Sequence, residues 1–441
     1  MIKVITYGTY DLFHYGHQRL LERAKALGDY LIVGVTTDDF DKKRGKINVH
    51  QSLMERIESV RATGLADEII IEEYEGQKID DIKRFGVDIF TVGSDWVGHF
   101  DYLEEYCDVV YLPRTEGVSS SDIRSQKRNI KLGLLGDGNI LKKFYDESQY
   151  VNGVDVTEIC IDNEKEKKCY ENEDVTLNDD YENLLMNVDA VFIISHPSKH
   201  YNQVKQALLS NVHVLCESPF ALCQKEYEEL YDLAQKNNLI LMESIKTAYS
   251  TAYDRLLLLI KGGKIGDVYS VDATCTSLRD YDENSWNSLT AWGPTALLPI
   301  FQILGTDYDE KHITSLLLNE NSYFDLFTKI DFRYKNAVAS IKVGNSVKSE
   351  GELIISGSEG YAYVPAPWWK TDYFELRYEN QENNKKYFYQ LDGEGIRYEL
   401  VAFIKSIELG KLIGYISSDV SQAICNIMED FNNNKSVISK Y

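Results

Sequence analysis

Short apolar runs alternate with amphipathic stretches through residues 1–128, and this pattern constrains the fold more than any other feature of the chain. Strands separated by helices predict a parallel sheet with helices on both faces. Ligands of such sheets bind at the carboxyl ends of the strands, where the strand order reverses. We predict strands at Lys3–Tyr7, Tyr30–Val35, Glu68–Ile71, Asp88–Val92 and Asp108–Leu112. We predict helices at Arg19–Leu27, Gln51–Ala62 and Lys78–Phe85.

A second alternating series follows directly, and a β-rich region begins after Asp267. The second series has predicted strands at Lys131–Leu135, Val156–Ile161, Ala190–Ser195, His213–Cys216 and Leu239–Met242. The β-rich region has predicted strands at Val268–Cys275, Ile313–Leu318, Thr328–Tyr334, Ala337–Val343 and Glu352–Ser356, with a hairpin turn at Lys335-Asn336. The fold class is therefore α/β: an α/β domain at 1–128, a second at 129–248, and an α+β open-sheet domain at 249–441.

Composition and charge exclude several classes of protein. The 441 residues are 44% hydrophobic and 27% charged, with a net charge of −23, which is a globular balance whose field repels nucleic acid and anionic membranes. The longest aliphatic run, Leu256–Ile260, is too short to cross a bilayer, and no signal peptide is visible. Seven cysteines without a C-x-x-C spacing argue against a disulfide framework or zinc ribbon. We expect a soluble cytoplasmic protein with neither nucleic-acid nor membrane partners.

The segment Gly8–His17 follows the first predicted strand and opens a helix. Its histidines, His14 and His17, are three residues apart and share a helical face. That face also presents the unpaired N–H groups and the positive dipole end of the helix N-terminus. Such a donor array suits a polyphosphate. The alternative is a pair of surface histidines near a turn.

A second strand-to-helix segment, Arg114–Asp122, supplies further donors. Its serine run is typical of a helix N-cap. Arg114 adds a permanent forked cation. Taken alone, this segment is equally compatible with an ordinary capped helix and a solvated arginine.

Together these segments resemble the cytidylyltransferases of the nucleotidyltransferase superfamily, most closely the bacterial glycerol-3-phosphate cytidylyltransferase family. The resemblance covers about residues 1–128 and rests on GTYDLFHYGH, LLERAKALGDYLIVGVTTDDF, VGSDW and VVYLPRTEGVSSSDI. It implies catalytic roles for His14, His17, Lys46 and Arg114, and nucleotide or substrate contacts for Thr9, Tyr10, Asp11, Arg56, Asp95, Trp96, Thr115, Ser119 and Ser120. It also implies CTP as substrate, accompanied by Mg²⁺. The chain departs from the family at one position, because a second substrate-contacting arginine aligns near Gly64, with Arg61 only a neighbour.

A glycine turn, Gly136-Asp-Gly138, follows the first strand of the second series. Asp162 ends the next predicted strand, near the spacing of a carboxylate that binds a ribose hydroxyl. A glycine turn in a generic α/β domain is the alternative interpretation. The segments around Ser195–His200, His213–Pro219 and Lys264–Val268 nevertheless resemble the Gfo/Idh/MocA oxidoreductase family over about residues 129–441.

This second resemblance implies a Rossmann domain that binds NAD or NADP, followed by an open-sheet domain. The predicted cofactor-binding residues are Gly136, Gly138, Asn139, Ile140, Asp162, Pro197, His200 and Glu217. The family's proton-transfer lysine, in its Glu-Lys-Pro motif, is replaced by Ser218, and its later histidine aligns with Thr295. Both carboxylates of that later motif are also missing. Because serine and threonine are not general acids near pH 7, the fold is expected to survive and hydride transfer is not.

Adjacent tryptophans, Trp368 and Trp369, stand out in the proline-flanked segment Pro365–Phe374. They could line a ligand groove or an oligomer interface, or they could be ordinary core.

The sequence predicts transfer of CMP from CTP to glycerol 3-phosphate or a related polyol phosphate, giving a CDP-polyol for cell-surface polymers of the teichoic-acid or capsular kind. No aromatic cage for a quaternary ammonium is evident, which favours a polyol acceptor. For the second half, one alternative is a reductase that supplies the polyol phosphate from a keto or aldehyde phosphate. Another is a dimerising or nucleotide-sensing scaffold. An adenylyltransferase is a further alternative for the first half. Both families imply a homo-oligomer.

Overall fold

The computed structural model of the protein describes every residue except 44–48, 50, 52, 75, 114–128, 137, 152, 172, 279–285, 319–323, 390, 414, 434–436 and 441. The chain divides into two compact units, Met1–Asn129 and Ile130–Tyr441, called the first unit and the second unit below. The helices of the described residues are too short or too polar to span a bilayer.

The first unit contains the alternating strands and helices that its apolar runs predict. Its strands are β1 (Lys3–Gly8), β2 (Tyr30–Thr36), β3 (Glu68–Glu72), β4 (Ile89–Gly93) and β5 (Asp108–Leu112). Its described helices are α1 (Tyr15–Lys25), α2 (Asp38–Lys43), α3 (Leu53–Ala62) and α4 (Gln77–Phe85). Short 3₁₀ turns cover Ser94–Trp96 and Asp101–Glu105. The predicted elements are confirmed, with their ends shifted by a few residues, whereas α2 was not predicted.

The sheet of the first unit is parallel and has the order β3-β2-β1-β4-β5. The strand order therefore reverses between β1 and β4. Val4 and Ile5 point to opposite faces of β1 and both are fully buried, which explains why the strand is a continuous apolar run. The loops after β1 and β4 flank the crevice where sheets of this kind bind ligands.

The second unit begins with another parallel sheet, of order β11-β10-β9-β6-β7-β8. Its elements are β6 (Ile130–Gly136), α5 (Asn139–Ser148), β7 (Val154–Cys160), α6 (Glu164–Lys167), β8 (Thr176–Asn178), α7 (Tyr181–Asn187), β9 (Ala190–Ile194), α8 (Pro197–Leu209), β10 (His213–Glu217), α9 (Gln224–Lys236) and β11 (Leu241–Ser244). The order reverses between β6 and β9, so the glycine turn after β6 opens onto that crevice.

The rest of the second unit is built on a nine-stranded mixed sheet of order β19-β18-β17-β16-β12-β15-β14-β13-β20. Its elements are α10 (Thr251–Lys261), β12 (Val268–Thr276), α11 (Ser288–Leu304), β13 (Glu310–Leu317), β14 (Asp325–Arg333), β15 (Val338–Gly344), β16 (Leu353–Gly357), β17 (Tyr361–Val364), β18 (Tyr373–Arg377), β19 (Lys385–Phe388), α12 (Ile396–Leu409), α13 (Ser418–Asn432) and β20 (Val437–Lys440). Further 3₁₀ turns cover Lys168–Tyr170, Lys246–Tyr249, Trp368–Lys370, Gln381–Asn383 and Asp392–Gly395. The predicted hairpin is confirmed, because β14 pairs antiparallel with β15 and Tyr334 N–H donates to Ala337 O at 2.8 Å.

Helix α11 packs on this sheet against β12, β14 and β15. Asn287 caps it by accepting the N–H of Thr290 at 2.8 Å. Most of its residues are buried, since the helix is apolar on nearly all sides. Its first turns face the cavity described below.

Candidate functional sites

His14 begins helix α1 and fixes its own ring in doing so. It is the N-cap residue, and the N–H of Gly16 donates to its Nδ1 at 3.0 Å. Since Nδ1 accepts a hydrogen bond, the neutral ring carries its hydrogen on Nε2. His14 therefore combines a structural cap with a donor on the opposite edge of the ring.

His17 lies one turn further along α1 and stacks on His14. The two ring centroids are 3.9 Å apart with an interplanar angle of 21°. The rings of Tyr10 and Phe13 also contact that of His17, each with its centroid 5.5 Å from the His17 centroid. Two imidazoles are thus grouped at a helix N-terminus, an arrangement that suits an anionic ligand.

The loop between β1 and α1 holds its residues in unusual backbone conformations. Tyr10 and Leu12 have φ of 53° and 48°, the left-handed region that side chains rarely adopt. Asp11 is buried and accepts the N–H of Gln51 at 2.9 Å, and Thr9 Oγ1 donates to Asp41 at 2.9 Å. Tyr10 is only 1% exposed. Its ring therefore supports His17, and its predicted nucleotide contact stays a prediction.

Arg56 is a buried hub of the first unit. Its side chain is fully buried; it donates to the carbonyl oxygens of Thr9 and Thr36, both at 2.8 Å, and pairs with Asp38 and Asp41. These partners belong to the loop after β1 and to the end of β2 and the start of α2. The guanidinium therefore ties the loop after β1 to β2 and α2, and its predicted substrate contact stays a prediction.

The remaining predicted residues of the first unit are partly described. Asp95 and Trp96 lie on the 3₁₀ turn after β4, and both side chains are exposed. Since β4 is the neighbour of β1 in the sheet, this turn and the loop after β1 flank the same crevice. Trp96 packs its ring near that of Phe100, with 5.9 Å between centroids. The predictions for Lys46, Arg114, Thr115, Ser119 and Ser120 lie outside the described residues.

The two glycines that follow β6 adopt backbone conformations that other residues rarely adopt. Gly136 and Gly138 have φ of 144° and 92°. A Cβ on Gly136 would lie 2.0 Å from Ile194 O, so only glycine fits there, whereas the space beside Gly138 is open. The N–H of Gly138 donates to Glu166 Oε2 at 2.6 Å. The carboxylate of Glu166 thus occupies a donor at the start of α5 that a phosphate could use.

The other predicted cofactor residues divide into exposed and buried positions. Asp162 is exposed just beyond the end of β7, and Pro197 is the first residue of α8. His200 is fully buried, with Nδ1 and Nε2 each 2.8 Å from the carbonyl oxygens of Pro219 and Ser195. Burial lowers its pKa to about 4 despite these bonds. His200 therefore holds the two turns together, and its predicted cofactor contact stays a prediction.

A cavity of about 590 Å³ lies beside the glycine turn within the second unit. Its wall includes the predicted residues Asn139, Ile140 and Glu217, together with Thr295 from α11. It also includes Trp286, Trp292, Asn345 and Trp369. Trp292 donates its indole N–H to Asn345 at 2.9 Å and lies 4.9 Å from the ring of Trp369. Trp369 is therefore a cavity wall, whereas Trp368 is fully buried core.

Glu217 of β10 lines this cavity, and Glu243 lies on the neighbouring strand β11. Burial raises the pKa of Glu217 to about 7, although the positive charge of Lys246 lowers it. Burial likewise raises the pKa of Glu243 to about 7, against the hydrogen bond donated by Ser218. Ser218, which stands where the related family has a lysine, is therefore a buried hydrogen-bond partner of Glu243.

Sequence reasoning missed the charged end of the cavity. The ammonium groups of Lys143, Lys246 and Lys370 surround the carboxylate of Glu394. These lysines are far apart in the sequence, so no local spacing joins them. The local sequence feature that could have pointed to this cluster is Glu394, an acidic residue between two glycines at 393 and 395.

Comparison with known proteins identifies the family of the first unit. The family model described as cytidylyltransferase-like matches residues 5–126. A glycerol-3-phosphate cytidylyltransferase of Bacillus spizizenii is 51% identical over 130 residues, which are 30% of this chain and 100% of that protein. The chain belongs to the cytidylyltransferase family. The enzyme of the same name from Staphylococcus aureus is 47% identical over 29% of this chain and 95% of that protein.

The second unit of this cytidylyltransferase-family chain matches a different family. The model described as oxidoreductase family, NAD-binding Rossmann fold, covers residues 130–245. The structure of a 3-ketoreductase from Actinomadura kijaniata, in complex with NADP and TDP-benzene, matches 71% of this chain and 100% of that protein with a TM-score of 0.64. The identity is 16%, so the likeness shows the fold.

The first unit is accordingly a nucleotidyltransferase, and both family resemblances are confirmed. No cluster of His, Cys, Asp and Glu in the part of the chain that the structure describes is arranged to hold a metal ion.

Proposed function

We propose that the first unit transfers CMP from CTP to glycerol 3-phosphate or a closely related polyol phosphate. The observation that carries this proposal is the stacked pair His14–His17 at the start of α1, beside the point where the strand order reverses. The relatives that align over nearly their whole length are named glycerol-3-phosphate cytidylyltransferases, which supports the polyol acceptor. The product would be a CDP-polyol suited to building cell-surface polymers.

The chemistry needs no protein nucleophile. An oxygen of the acceptor phosphate attacks the α-phosphorus of CTP in line, a new P–O–P bridge forms, and the bond to the β-phosphate breaks to release pyrophosphate. Positioning and charge neutralisation lower the barrier of such a reaction. His14 and His17 would donate to the phosphates, with Lys46 and Arg114 as further cations and Mg²⁺ arriving with the nucleotide.

For the second unit we propose binding of NAD or NADP without efficient hydride transfer. The open glycine turn and the adjoining wall residues Asn139 and Ile140 fit the pyrophosphate and ribose of a dinucleotide. In an active reductase of this fold, the bound nicotinamide would be the group that donates the hydride. Ser218 and Thr295 provide no acid or base near neutral pH to accompany it.

One observation favours the alternative that the second unit is an active reductase. Glu217, whose pKa burial raises to about 7, lines the same cavity as Lys246. A carboxyl that titrates near neutrality is able to exchange a proton with a substrate oxygen. In this alternative a keto or aldehyde phosphate would be reduced to the polyol phosphate that the first unit consumes.

A pyrophosphate-release assay tests the first proposal. CTP is compared with ATP against glycerol phosphate, longer polyol phosphates, phosphocholine and phosphoethanolamine. We expect release with CTP and a polyol phosphate, and His17→Ala should lower turnover by at least about 100-fold while thermal unfolding is unchanged. His312→Ala, which alters an exposed histidine of the second unit, is the matched control. Equal turnover of His17→Ala and wild type would refute the assignment.

The same protein tests the two proposals for the second unit. NADH and NADPH are titrated first, and their absorbance is then followed with phosphorylated trioses, tetroses and pentoses that carry a carbonyl group. Binding with steady absorbance supports the ligand-only proposal. Consumption with one of these substrates establishes the reductase.

A further inference from the structure

We propose that the cavity of the second unit binds the phosphate group of a small phosphomonoester through Lys143, Lys246 and Lys370, called the lysine cluster below, and that Glu394 occupies the phosphate position when the cavity is empty. This inference extends beyond the proposed function and does not depend on hydride transfer. It rests on geometry, charge and backbone conformation.

The lysine cluster converges from three separate parts of the second unit. Lys143 lies on α5, Lys246 follows β11, and Lys370 ends the 3₁₀ turn after β17. Their Nζ atoms lie 2.6, 3.3 and 2.8 Å from carboxylate oxygens of Glu394. The fold therefore brings three side chains from distant segments to the same carboxylate in the cavity wall.

The positive charge of the cluster exceeds the negative charge of Glu394, and a second carboxyl of the cavity wall, Glu217, interacts with Lys246 alone among the three lysines. Three ammonium groups surround a single carboxylate, in a chain whose net charge is −23. The hydrogen bonds and charges of the lysines hold the pKa of Glu394 at about 2, against burial, which raises it. Replacing this monoanion by the dianion of a phosphomonoester would balance the charge better, since charge-assisted bonds strengthen with the charge of the acceptor.

The backbone that presents Glu394 is held in a left-handed conformation. Gly393, Glu394 and Gly395 have φ of 61°, 54° and 91°. The left-handed region is unfavourable for a glutamate, and such strain is often found at ligand sites. A Cβ on Gly395 would lie 2.6 Å from Lys246 O, so the close fit of the segment against Lys246 requires glycine. The segment thus places one carboxylate at the centre of the lysine cluster.

The remainder of the cavity limits the size and character of the ligand. Its volume of about 590 Å³ suits a small molecule. Trp286, Trp292 and Trp369 supply flat apolar walls, and Asn345 and Thr295 supply polar groups. A short phosphorylated polyol or its keto form combines a charged end with such a partly polar body.

A tryptophan fluorescence titration tests this assignment on the full chain. Four of the five tryptophans lie in the second unit, so Trp96→Phe removes the one in the first unit. Glycerol 3-phosphate and inorganic phosphate are the probes, with chloride at equal ionic strength as the blank. We expect saturable quenching by the phosphates but not by chloride.

Variants on one helix provide the matched comparison. Lys143→Gln should weaken phosphate binding by about tenfold or more, because it removes a charge-assisted bond. Lys142→Gln should leave it unchanged, since Lys142 pairs with Asp146 and Glu173 away from the cluster. Glu394→Gln should tighten binding by about tenfold, because the competing carboxylate is gone. Lys370→Gln repeats the test at the most exposed lysine of the cluster, in case an inner variant fails to fold.

The proposal would be overturned by absence of saturable quenching, by equal effects of Lys143→Gln and Lys142→Gln, or by unchanged affinity in a normally folded Glu394→Gln protein. Loss of glycerol phosphate binding in the presence of saturating NADH or NADPH would also overturn it, by assigning the lysine cluster to the dinucleotide. Pyrophosphate release by the first unit is a separate readout, so failure here is distinguishable from failure of the proposed transferase function.

Discussion

At the scale of single residues, His14 shows how one ring serves both folding and chemistry. Its Nδ1 caps α1, which leaves Nε2 as the hydrogen-bond donor of the neutral ring. Asparagine is among the best N-cap residues but has no group equivalent to Nε2. The two roles can therefore be separated by substitution.

We predict that His14→Asn lowers the rate of pyrophosphate release by about 100-fold with little loss of stability. His14→Ala should lower the rate similarly and also lower the free energy of unfolding by about 1 kcal/mol, because the cap is lost. Urea unfolding and the release assay measure the two effects. If His14→Asn retained full activity, the ring would be a cap only.

We predict that substitution of Arg56 lowers the stability of the first unit more than it lowers substrate affinity. Because the guanidinium is fully buried against Asp38, Asp41 and backbone carbonyls, Arg56→Met leaves buried carboxylate and carbonyl groups without their partner. We expect a loss of about 3 kcal/mol in the unfolding free energy of the first unit. Arg61→Met, at an exposed arginine of the same helix, is the control and should change stability little. A stable Arg56→Met protein with only a raised KM for the acceptor would instead support the predicted substrate contact.

Glu243 gives the second unit a pH dependence of defined sign. Its ordinary pKa is 4.5 and burial raises it to about 7 in the folded state. The folded chain therefore keeps a proton that the unfolded chain has already lost. The stability contributed by this group is complete below pH 4.5 and is lost as the pH rises through about 7.

We predict that Glu243→Gln unfolds with nearly the wild-type free energy at pH 5. At pH 8 it should be more stable than wild type by roughly 3 kcal/mol, because the buried ionisation is removed. Urea unfolding at both pH values measures this, and the difference between the proteins cancels the other titrating groups. A constant difference at the two pH values would contradict the raised pKa.

At the scale of elements, the sequence predicted the parallel strands but not the hydrogen bond made at the glycine turn. Continuous apolar runs located β1, β2 and β5 to within one residue, because strands buried on both faces tolerate few polar residues. The glycine turn after β6 was likewise recognisable. The hydrogen bond from Gly138 to Glu166 was not, since Glu166 belongs to a separate short helix and its approach is decided by tertiary packing.

We predict that Glu166→Gln raises the affinity of the second unit for NADH or NADPH by about fivefold. The charged carboxylate bonds to the N–H of Gly138, and a neutral amide would yield this donor more readily to a phosphate. Titration by NADH fluorescence measures the change. Glu171→Gln, at an exposed glutamate outside the turn, should leave the affinity unaltered. Weaker binding in Glu166→Gln would indicate that Glu166 contacts the cofactor directly.

At the scale of the whole molecule, the sequence predicted which kinds of site the chain carries better than which residues complete them. Candidate residues close together in the sequence, such as His14 and His17, could be recognised from their spacing. The lysine cluster could not be recognised in this way, because its members lie on α5, after β11 and after β17 and meet only in the tertiary structure. A motif also does not reveal which of its side chains are buried, as those of Tyr10, Arg56 and His200 are.

The division into two units leads to the last prediction. A relative that is 51% identical aligns over its whole length with the first unit alone, and domains of this kind carry their own core. We therefore expect residues 1–129, expressed separately, to fold and to release pyrophosphate with a kcat/KM within about an order of magnitude of the full chain. Residues 130–441 should release none and should retain phosphate and dinucleotide binding. Inactivity of a folded 1–129 fragment, restored by adding 130–441, would instead show that the second unit completes the transferase.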